Sequence, residues 1–408
     1  MSAKYTPSET SQLNRSVSLW QLTLFGTGTI LGAGIYVLIG KVAAEAGYFS
    51  PWAFLLAASI AGITACSYAE LSARYPRSAG EVVYVAEAFK SNLLSRIIGW
   101  SIVMAGAVSS ATLANGLVGY VQVFVDWPDG VIIILPLMLL GYIAIIGIQA
   151  SMNFTAVITL IEILGLLIII FIAGDNLATL PDNLDLFLPP LEGAVFGGIF
   201  AGAFIAFYAF IGFEDMVNVA EEVIEPHKTL PKAIFLSFII ATSLYLLVST
   251  IAVLSMPLNE LSRSSAPFAD LMLSKGHSAV SITLISLIAI VNGILVQIIM
   301  ASRILYGMAG QGNAPKFMGS VNASTATPAY ATVFIIAVIA LFALLLPLTD
   351  LAKTTSFIIL AIFVVVNLSL IIIKRNYPCP ANVKAFPMAI PVLGLLLTLG
   401  FLIIAVIN

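Results

Sequence analysis

Long apolar stretches alternate with short polar ones along most of the chain, and this pattern dominates the sequence. Eleven stretches come close to or exceed the roughly 20 apolar residues that a helix needs to cross a lipid bilayer. They lie near residues 19–40, 51–72, 97–124, 130–149, 154–173, 194–219, 233–255, 279–305, 329–347, 352–373 and 388–407. The pattern therefore predicts an all-α integral membrane protein with about 11 transmembrane helices.

Two of these stretches carry breaks. The first contains several glycines between residues 26 and 34, and the sixth contains Phe210-Ile211-Gly212. Apolar helices interrupted at corresponding places in two halves of a chain point to a carrier's binding site, because unwound backbone at membrane depth lines a cavity or is buried. Free N–H groups there hold a carboxylate and free carbonyls hold an amine or a cation. The breaks predict transport of a small zwitterion; the alternative is that the glycines form only a helix-packing face.

Composition and charge placement support a membrane protein and predict its orientation. Hydrophobic residues make up 60% of the chain and charged residues 9%, which excludes a soluble domain of this size. Residues 1–18 are polar, so no cleavable signal peptide is expected. Cytoplasmic loops carry the Lys/Arg excess, and with the N-terminus inside only Lys41, Arg263, Lys275 and Lys353 fall outside. This predicts a multi-pass protein of the cell (inner) membrane with a cytoplasmic N-terminus and Asn408 outside.

The reactive residue types are too few for the common enzyme sites. The cysteines are Cys66, in the second apolar stretch, and Cys379, in a loop, and the histidines His227 and His277 also lie in loops. There is no phosphate-binding Walker loop and no zinc-protease HExxH motif. We therefore expect no disulfide, no metal, no cofactor and no nucleic-acid partner, and a protein that is not an enzyme.

The order of the apolar stretches suggests an internal repeat. A single transmembrane domain, residues 1–408, would consist of a first half over residues 1–173, a second half over residues 194–373 and an accessory helix over residues 388–407. Each half begins with a broken helix, as in the 5+5 inverted-repeat transporter fold. The repeat is visible in hydropathy and in the positions of the breaks, not residue by residue.

Four motifs, in order along the chain, carry a resemblance to a known family. They are GTILGAGIY at 28–36, YAELSARYPRSAG at 68–80, FIGFE at 210–214 followed by AEEVIEP at 220–226, and SRILYGMA at 302–309. Together they resemble the amino acid–polyamine–organocation (APC) permeases, and the resemblance covers nearly the whole chain. Family members usually have twelve spans, one more than the pattern predicts here.

The resemblance implies a substrate site built largely from backbone. The N–H groups of Ala33 and Gly34 would meet a substrate carboxylate, and the carbonyls of Ile30, Tyr208 and Ile211 would meet its ammonium. The predicted substrate-binding residues are Ile30, Gly32, Ala33, Gly34, Ser110, Tyr208, Phe210 and Ile211.

Two side chains are added to this backbone site by similarity to the arginine–agmatine antiporters. An aromatic residue at the position of Tyr208 closes over the substrate in those relatives, so Tyr208 is a candidate gate; ordinary helix packing is the alternative. Ser110 matches a polar ligand in the third span. A serine within a membrane helix also commonly bonds to its own backbone, and that interpretation stays open.

Glu162 is the most unusual side chain, because it lies deep in the fifth apolar stretch. An ionisable residue inside the membrane is a functional hypothesis by default. Many relatives keep a lysine at the matching position, so this chain reverses the charge. Three roles remain open for Glu162: proton coupling, a structural neutral acid, and cation binding. Glu214, which follows the second break, and Gln297, in the eighth stretch, are the other ion-coupling candidates.

These observations predict a secondary active transporter that moves an amino acid across the membrane by alternating access. The expected partners are the amino acid, the lipid bilayer and a coupling H⁺. The alternatives are a sodium-coupled or uncoupled amino acid exchanger and a sensor that binds an amino acid without transporting it.

Overall fold

The computed structural model describes residues 15–77, 80–146, 152–310, 312–322, 325, 327–378, 380–381 and 383–407. Cys379 lies outside these residues, so the expected absence of a Cys66–Cys379 disulfide stays a prediction. The described part is helical. Its α-helices are α1 (Leu19–Ala46), α2 (Ser50–Arg74), α3 (Gly80–Phe89), α4 (Asn92–Gln122), α5 (Asp129–Ile146), α6 (Met152–Ala173), α7 (Leu184–Phe187), α8 (Gly193–Phe207), α9 (Pro226–Ser255), α10 (Leu258–Arg263), α11 (Pro267–Ser274), α12 (Val280–Gly310), α13 (Ala329–Leu345), α14 (Leu348–Asn376) and α15 (Ala389–Ile407).

Each predicted apolar stretch coincides with a helix, which confirms the all-α membrane fold. Within the described residues, 8 stretches are long and apolar enough to cross a membrane, and the first of them, Leu19–Arg74, contains both α1 and α2. Two further apolar helices, α13 and α15, are shorter. Some helices begin earlier in the chain than predicted, because polar residues form their first turn. For example, α4 begins at Asn92 because the Ser91 hydroxyl accepts a hydrogen bond from the N–H of Leu94 and caps it.

Both predicted breaks are present. Within α1, Gly32 leaves the helical conformation, with φ −7° and ψ −170°. The second break follows α8: a 3₁₀ turn over Tyr208–Phe210 leads to extended Ile211 and then to Gly212 at φ +132°, a conformation that favours glycine. A 3₁₀ segment, Phe213–Glu222, continues the chain.

The helices pack as two groups, and the halves of the chain contribute to them in the same way. One group contains α1 and α2 from the first half with α8 and α9 from the second. In the other group, α4 packs against α12, and α5 against α13. The last long helix of each half, α6 or α14, touches both groups. This is the arrangement of a 5+5 inverted repeat, and it places the two breaks against each other.

A buried ion cluster joins α2 to α14 at the face of the bundle where α1 begins, here called the N face. Glu70 is fully buried and pairs with Arg74 and Lys374, each at 2.8 Å. It also accepts a hydrogen bond from the N–H of Phe386. A buried carboxylate with both oxygens engaged satisfies the requirement for paired charge inside a protein, and it holds the loop before α15 against α2.

Candidate functional site

The two breaks meet at the centre of the bundle. A Cβ atom on Gly34 would lie 2.8 Å from Cα of Ala209, so the two chain segments approach more closely than a side chain would allow. The hydroxyl of Thr29 donates to the carbonyl of Gly212 at 2.9 Å and ties the segments together. Small residues at this crossing are therefore required by contact between the two unwound segments.

A cavity opens beside this crossing. Its lining includes five of the predicted substrate-binding residues: Ile30, Gly32, Gly34, Tyr208 and Ile211. The remaining lining residues are Gly28, Thr29, Ser109, Leu113, Thr155, Asn292, Gly293, Val296 and Gln297. The cavity is thus bounded by both breaks and by α4, α6 and α12, which lie opposite them.

Tyr245 of α9 holds the two breaks in place. Its buried hydroxyl lies 2.6 Å from the carbonyl oxygen of Ile30 and 3.0 Å from that of Ala209. A phenol has one hydrogen to donate, whereas each carbonyl oxygen has two lone pairs. The Ile30 carbonyl, a predicted ammonium acceptor, therefore keeps accepting capacity for a ligand while Tyr245 fixes its position.

Tyr208 spans the cavity from the second break to α4. Its hydroxyl lies 2.9 Å from the Ser109 hydroxyl and donates to the Ser109 carbonyl at 3.0 Å. The two residues belong to different helix groups, so this contact must be lost or rebuilt if the groups move apart. The position is compatible with the predicted gate.

Tyr208→Phe is expected to weaken amino acid binding about 2- to 10-fold, the effect of losing one hydrogen bond of roughly 0.5–1.5 kcal/mol. Tyr208→Ala should weaken it more, because the ring is lost as well. Affinity measured on purified protein tests this, with Tyr142→Phe, an exposed tyrosine on α5, as the control. Wild-type affinity in both Tyr208 variants would reduce Tyr208 to a packing residue.

Three predicted residues remain, and two of them, Ser110 and Phe210, lie outside the lining of the cavity. Ser110 is fully buried away from the lining, and its hydroxyl has no hydrogen-bond partner among the described residues. Phe210 is buried in an aromatic cluster with Phe54, Phe238 and Tyr245. Ala33 is part of α1, but its side chain lies outside the described residues. Ser109, one residue before Ser110, takes the cavity position on α4.

Glu162 lies behind the cavity rather than in its lining. Its side chain is fully buried, and neither carboxyl oxygen has a hydrogen-bond partner among the described residues. The hydroxyl of Tyr36 donates its one hydrogen to the backbone carbonyl of Glu162 at 2.7 Å, so it cannot donate to the carboxyl side chain. A fully buried carboxyl group without partners is costly in its charged form, so this group requires a proton or another cation.

A second, smaller cavity lies toward the N face and shares Ser109, Ile211 and Gln297 with the first. Three buried carboxyl groups line it, from Glu81, Glu214 and Asp215. Glu214 accepts a hydrogen bond from the N–H of Gly212 at 2.9 Å and so caps the second break. Gln297 donates to Asp215 at 3.3 Å. Two ion-coupling candidates, Glu214 and Gln297, therefore belong to this cavity.

Glu81 lies on α3, outside the membrane-spanning helices. Burial raises the pKa of its carboxyl group to about 7, and the nearby charge of Asp215 adds to the rise. The hydroxyl of Tyr68 donates to it at 3.3 Å. The group therefore changes charge within the physiological range of pH.

Glu81→Gln is expected to flatten the pH dependence of thermal stability. Because the folded pKa of about 7 lies above the unfolded value of ~4.3, the stability linked to this group is complete below pH ~4.3 and is lost as the pH rises to about 7. Melting temperatures of purified protein between pH 5 and 8 test this. Glu87→Gln, on the same helix and paired with Lys90 at the surface, is the control. An equal fall in wild type and Glu81→Gln would contradict the assignment.

Several cavity residues were not predicted from the sequence. Asn292 is a polar residue within an apolar stretch, the same signal that singled out Glu162. Thr155 and Ser109 offer no comparable signal, because hydroxyl residues are common in membrane helices and bond to their own backbone. Their place in the lining follows from how α4 and α6 are rotated.

Comparison with known proteins agrees with this architecture. The family model described as amino acid permease matches residues 17–408. The branched-chain amino acid permease BcaP of Bacillus subtilis (strain 168) is 30% identical over 392 residues, which cover 90% of this chain and 82% of that protein. The methylthioribose transporter of the same organism is 28% identical over 91% of this chain and 84% of its own length. The vacuolar cationic amino acid transporter 2 of Arabidopsis thaliana is 28% identical over 91% of this chain, which spans 62% of that protein.

Proposed function

The chain belongs to the amino acid permease family of the APC superfamily, and we propose that it carries an amino acid across the membrane by alternating access. The observation that carries the proposal is the cavity bounded by two opposed helix breaks. The cavity lies between the two helix groups, so a relative movement of the groups would expose it to one side or the other.

The chemistry of the breaks suits an α-amino acid. Backbone N–H groups of the Gly32–Gly34 segment are the proposed ligands of the substrate carboxylate. The carbonyl of Ile30, held by Tyr245, and that of Ile211 are the proposed ligands of the ammonium. The Tyr208 carbonyl is a third proposed ligand, because it accepts one hydrogen bond, from the N–H of Ile211 at 3.2 Å, and keeps a second lone pair.

The rest of the lining suits a neutral side chain. Leu113, Val296 and Ile211 supply apolar surface, and no charged side chain occurs among the lining residues that the structure describes. Relatives named for branched-chain and for cationic amino acids are similar to this chain to about the same degree. The uncharged lining favours branched-chain over cationic amino acids, and we propose a neutral aliphatic amino acid as substrate.

The proposed coupling ion is H⁺, carried by Glu162. Burial favours the protonated form of a carboxyl group, and contact with water favours the charged form. Two hydroxyls near Glu162 already donate their hydrogens elsewhere: Tyr36 to the Glu162 backbone, and Tyr245 to the breaks. A sodium ion would need several free oxygen ligands, whereas a proton needs one. The site therefore supports proton coupling better than sodium coupling.

Uptake by proteoliposomes tests the function. Radiolabelled leucine, valine, alanine, arginine and lysine are supplied with an inward proton gradient, with an inward sodium gradient, or with neither. Leucine or valine uptake stimulated by the proton gradient is the expected result. Preference for arginine or lysine would reject the neutral substrate and direct attention to the carboxyl groups of the second cavity. Binding without uptake in any condition would identify a sensor and reject transport.

A further inference from the structure

Asn292 stands between the substrate cavity and Glu162. It belongs to α12, lines the cavity and is 8% exposed, whereas Glu162 is 0% exposed and absent from the lining. Asn292 lies near the Glu162 carboxyl group, on a helix that packs directly against α6, but the two side chains do not meet the geometry of a hydrogen bond. Glu162 thus has a polar neighbour that also reaches the substrate space.

The other polar groups around Glu162 are engaged elsewhere. Tyr36 of α1 and Tyr245 of α9 are the titratable side chains that face it, and both hydroxyls bond to backbone carbonyls. On α6 itself, the Thr159 hydroxyl lies 3.0 Å from the Leu24 carbonyl oxygen and 2.9 Å from that of Thr155, so its one hydrogen is used there.

Two charged groups at the ends of neighbouring elements also have partners elsewhere. Asp270 of α11, which packs against α6, bonds to Ser264. Asp175, in the turn after α6, pairs with Lys275 at 2.9 Å. Among the described residues, Asn292 is therefore a side chain near Glu162 that keeps hydrogen-bonding capacity to spare.

A carboxamide can serve both protonation states of a carboxyl group. Its N–H₂ group donates to a carboxylate, and its oxygen accepts from a protonated carboxyl. A rotation of the carboxamide can therefore follow the gain or loss of the proton on Glu162. The same oxygen can accept from a substrate ammonium, and the same N–H₂ group can donate to a substrate carboxylate.

We infer that Asn292 is the positioning residue that links substrate in the cavity to the proton on Glu162. The inference rests on the proposed coupling at Glu162 and adds the path by which the two sites communicate. Substrate that engages the carboxamide turns it toward one hydrogen-bonding pattern with Glu162, so substrate affinity depends on whether Glu162 carries its proton. Linkage requires the converse: the proton is held more firmly when substrate is bound.

The affinity for L-leucine between pH 5.5 and 8 tests the inference on the purified full-length protein. In the wild type, the leucine Kd should rise with pH by at most about tenfold per unit, the limit for one coupled proton. At pH 5.5, Asn292→Ala should bind leucine within about threefold of the wild-type affinity, a smaller loss than that of one good hydrogen bond. Its leucine Kd should change little between pH 5.5 and 8. Asn292→Ser, a smaller change in shape, should behave alike because its hydroxyl is too short to bridge.

Two further variants separate the possible outcomes. Thr283→Val, at a buried hydroxyl on the same helix that has no partner among the described residues, is the matched control and should keep the wild-type pH slope. In Glu162→Gln, the leucine Kd should not change with pH. If the leucine Kd is independent of pH in Glu162→Gln but still rises with pH in Asn292→Ala, the role of Asn292 is overturned and Glu162 remains the coupling site.

Two further outcomes would contradict the inference. If Asn292→Ala weakens leucine binding by one factor at every pH and keeps the wild-type pH slope, Asn292 contributes to binding without linking it to the proton, and the inference fails. If Glu162→Gln keeps the slope, the coupling site fails and the inference fails with it, even where leucine transport itself is intact.

Discussion

Proteoliposomes containing Glu162→Gln are expected to take up amino acid at a rate that an inward proton gradient no longer increases. A coupling ion can bias a carrier only through a difference in affinity between its states. The Glu162 carboxyl group is fully buried without a partner in this state, so exposure to water in another state would supply that difference. Glutamine keeps the shape of the protonated acid but cannot release a proton.

The size of the effect can be set in advance. A gradient of one pH unit corresponds to about 1.4 kcal/mol, so one coupled proton supports up to roughly tenfold accumulation of substrate. We expect the wild type to approach this value and Glu162→Gln to equilibrate substrate without accumulating it. Affinity for the amino acid at pH 5.5 should be close to that of the wild type, because glutamine mimics the protonated state.

Glu260→Gln is the control, since Glu260 is an exposed carboxylate on α10 and should leave the response to the gradient unchanged. A full wild-type response in Glu162→Gln would remove Glu162 as the coupling site and make Glu214 the next candidate. Stimulation of the wild type by sodium but not by a pH gradient would instead make Glu162 a cation ligand.

Gly34→Val is expected to abolish amino acid binding. The first atom of any side chain at this position would lie 2.8 Å from Cα and 3.1 Å from Cβ of Ala209. Neither atom can move without displacing the second break, so the two unwound segments would be forced apart. Overpacking of this kind costs about 1–3 kcal/mol even for small additions, and the branched valine adds more. The backbone groups proposed to bind the substrate would lose their common geometry.

Two other glycines give matched comparisons. An added Cβ on Gly32 meets no atom within 4 Å, and Gly32 lines the cavity, so Gly32→Ala should weaken binding without the clash expected at Gly34. Gly307 on α12 is equally open and does not line the cavity, so Gly307→Ala should leave binding unchanged. Gly34→Val should lower both binding and thermal stability. Unaltered affinity in folded Gly34→Val protein would contradict a substrate site at the crossing of the breaks.

The helices and their breaks were predictable because they depend on local sequence. A run of about 20 apolar residues has few stable alternatives to a membrane helix. Interruptions of such runs, at Gly32 and at Ile211-Gly212, fall where the structure leaves the helix. The resemblance of the motifs to APC permeases is confirmed by the family match over residues 17–408.

The side chains of the site were harder to predict from the sequence. Neighbouring residues on a helix point about 100° apart, a consequence of 3.6 residues per turn. Ser109 and Ser110 are therefore interchangeable in hydropathy but not in space, and Ser110, which the family resemblance implied, is buried away from the cavity that Ser109 lines. Phe210 was selected for its place next to the break, yet its ring packs among other aromatic rings.

By itself, the sequence determined that this protein is a helical membrane protein with two broken helices, because apolar length and glycine placement act through neighbouring residues of the chain. Only the tertiary structure decided which groups remain without partners. Glu162 was recognisable as a buried acid, but its two unpaired oxygens and the nearby carboxamide of Asn292 became visible once the hydroxyls of Tyr36 and Tyr245 were found engaged elsewhere. Hydrogen-bond partners lie more than 100 residues apart in sequence here, so their pairing depends on how the helices rotate and pack.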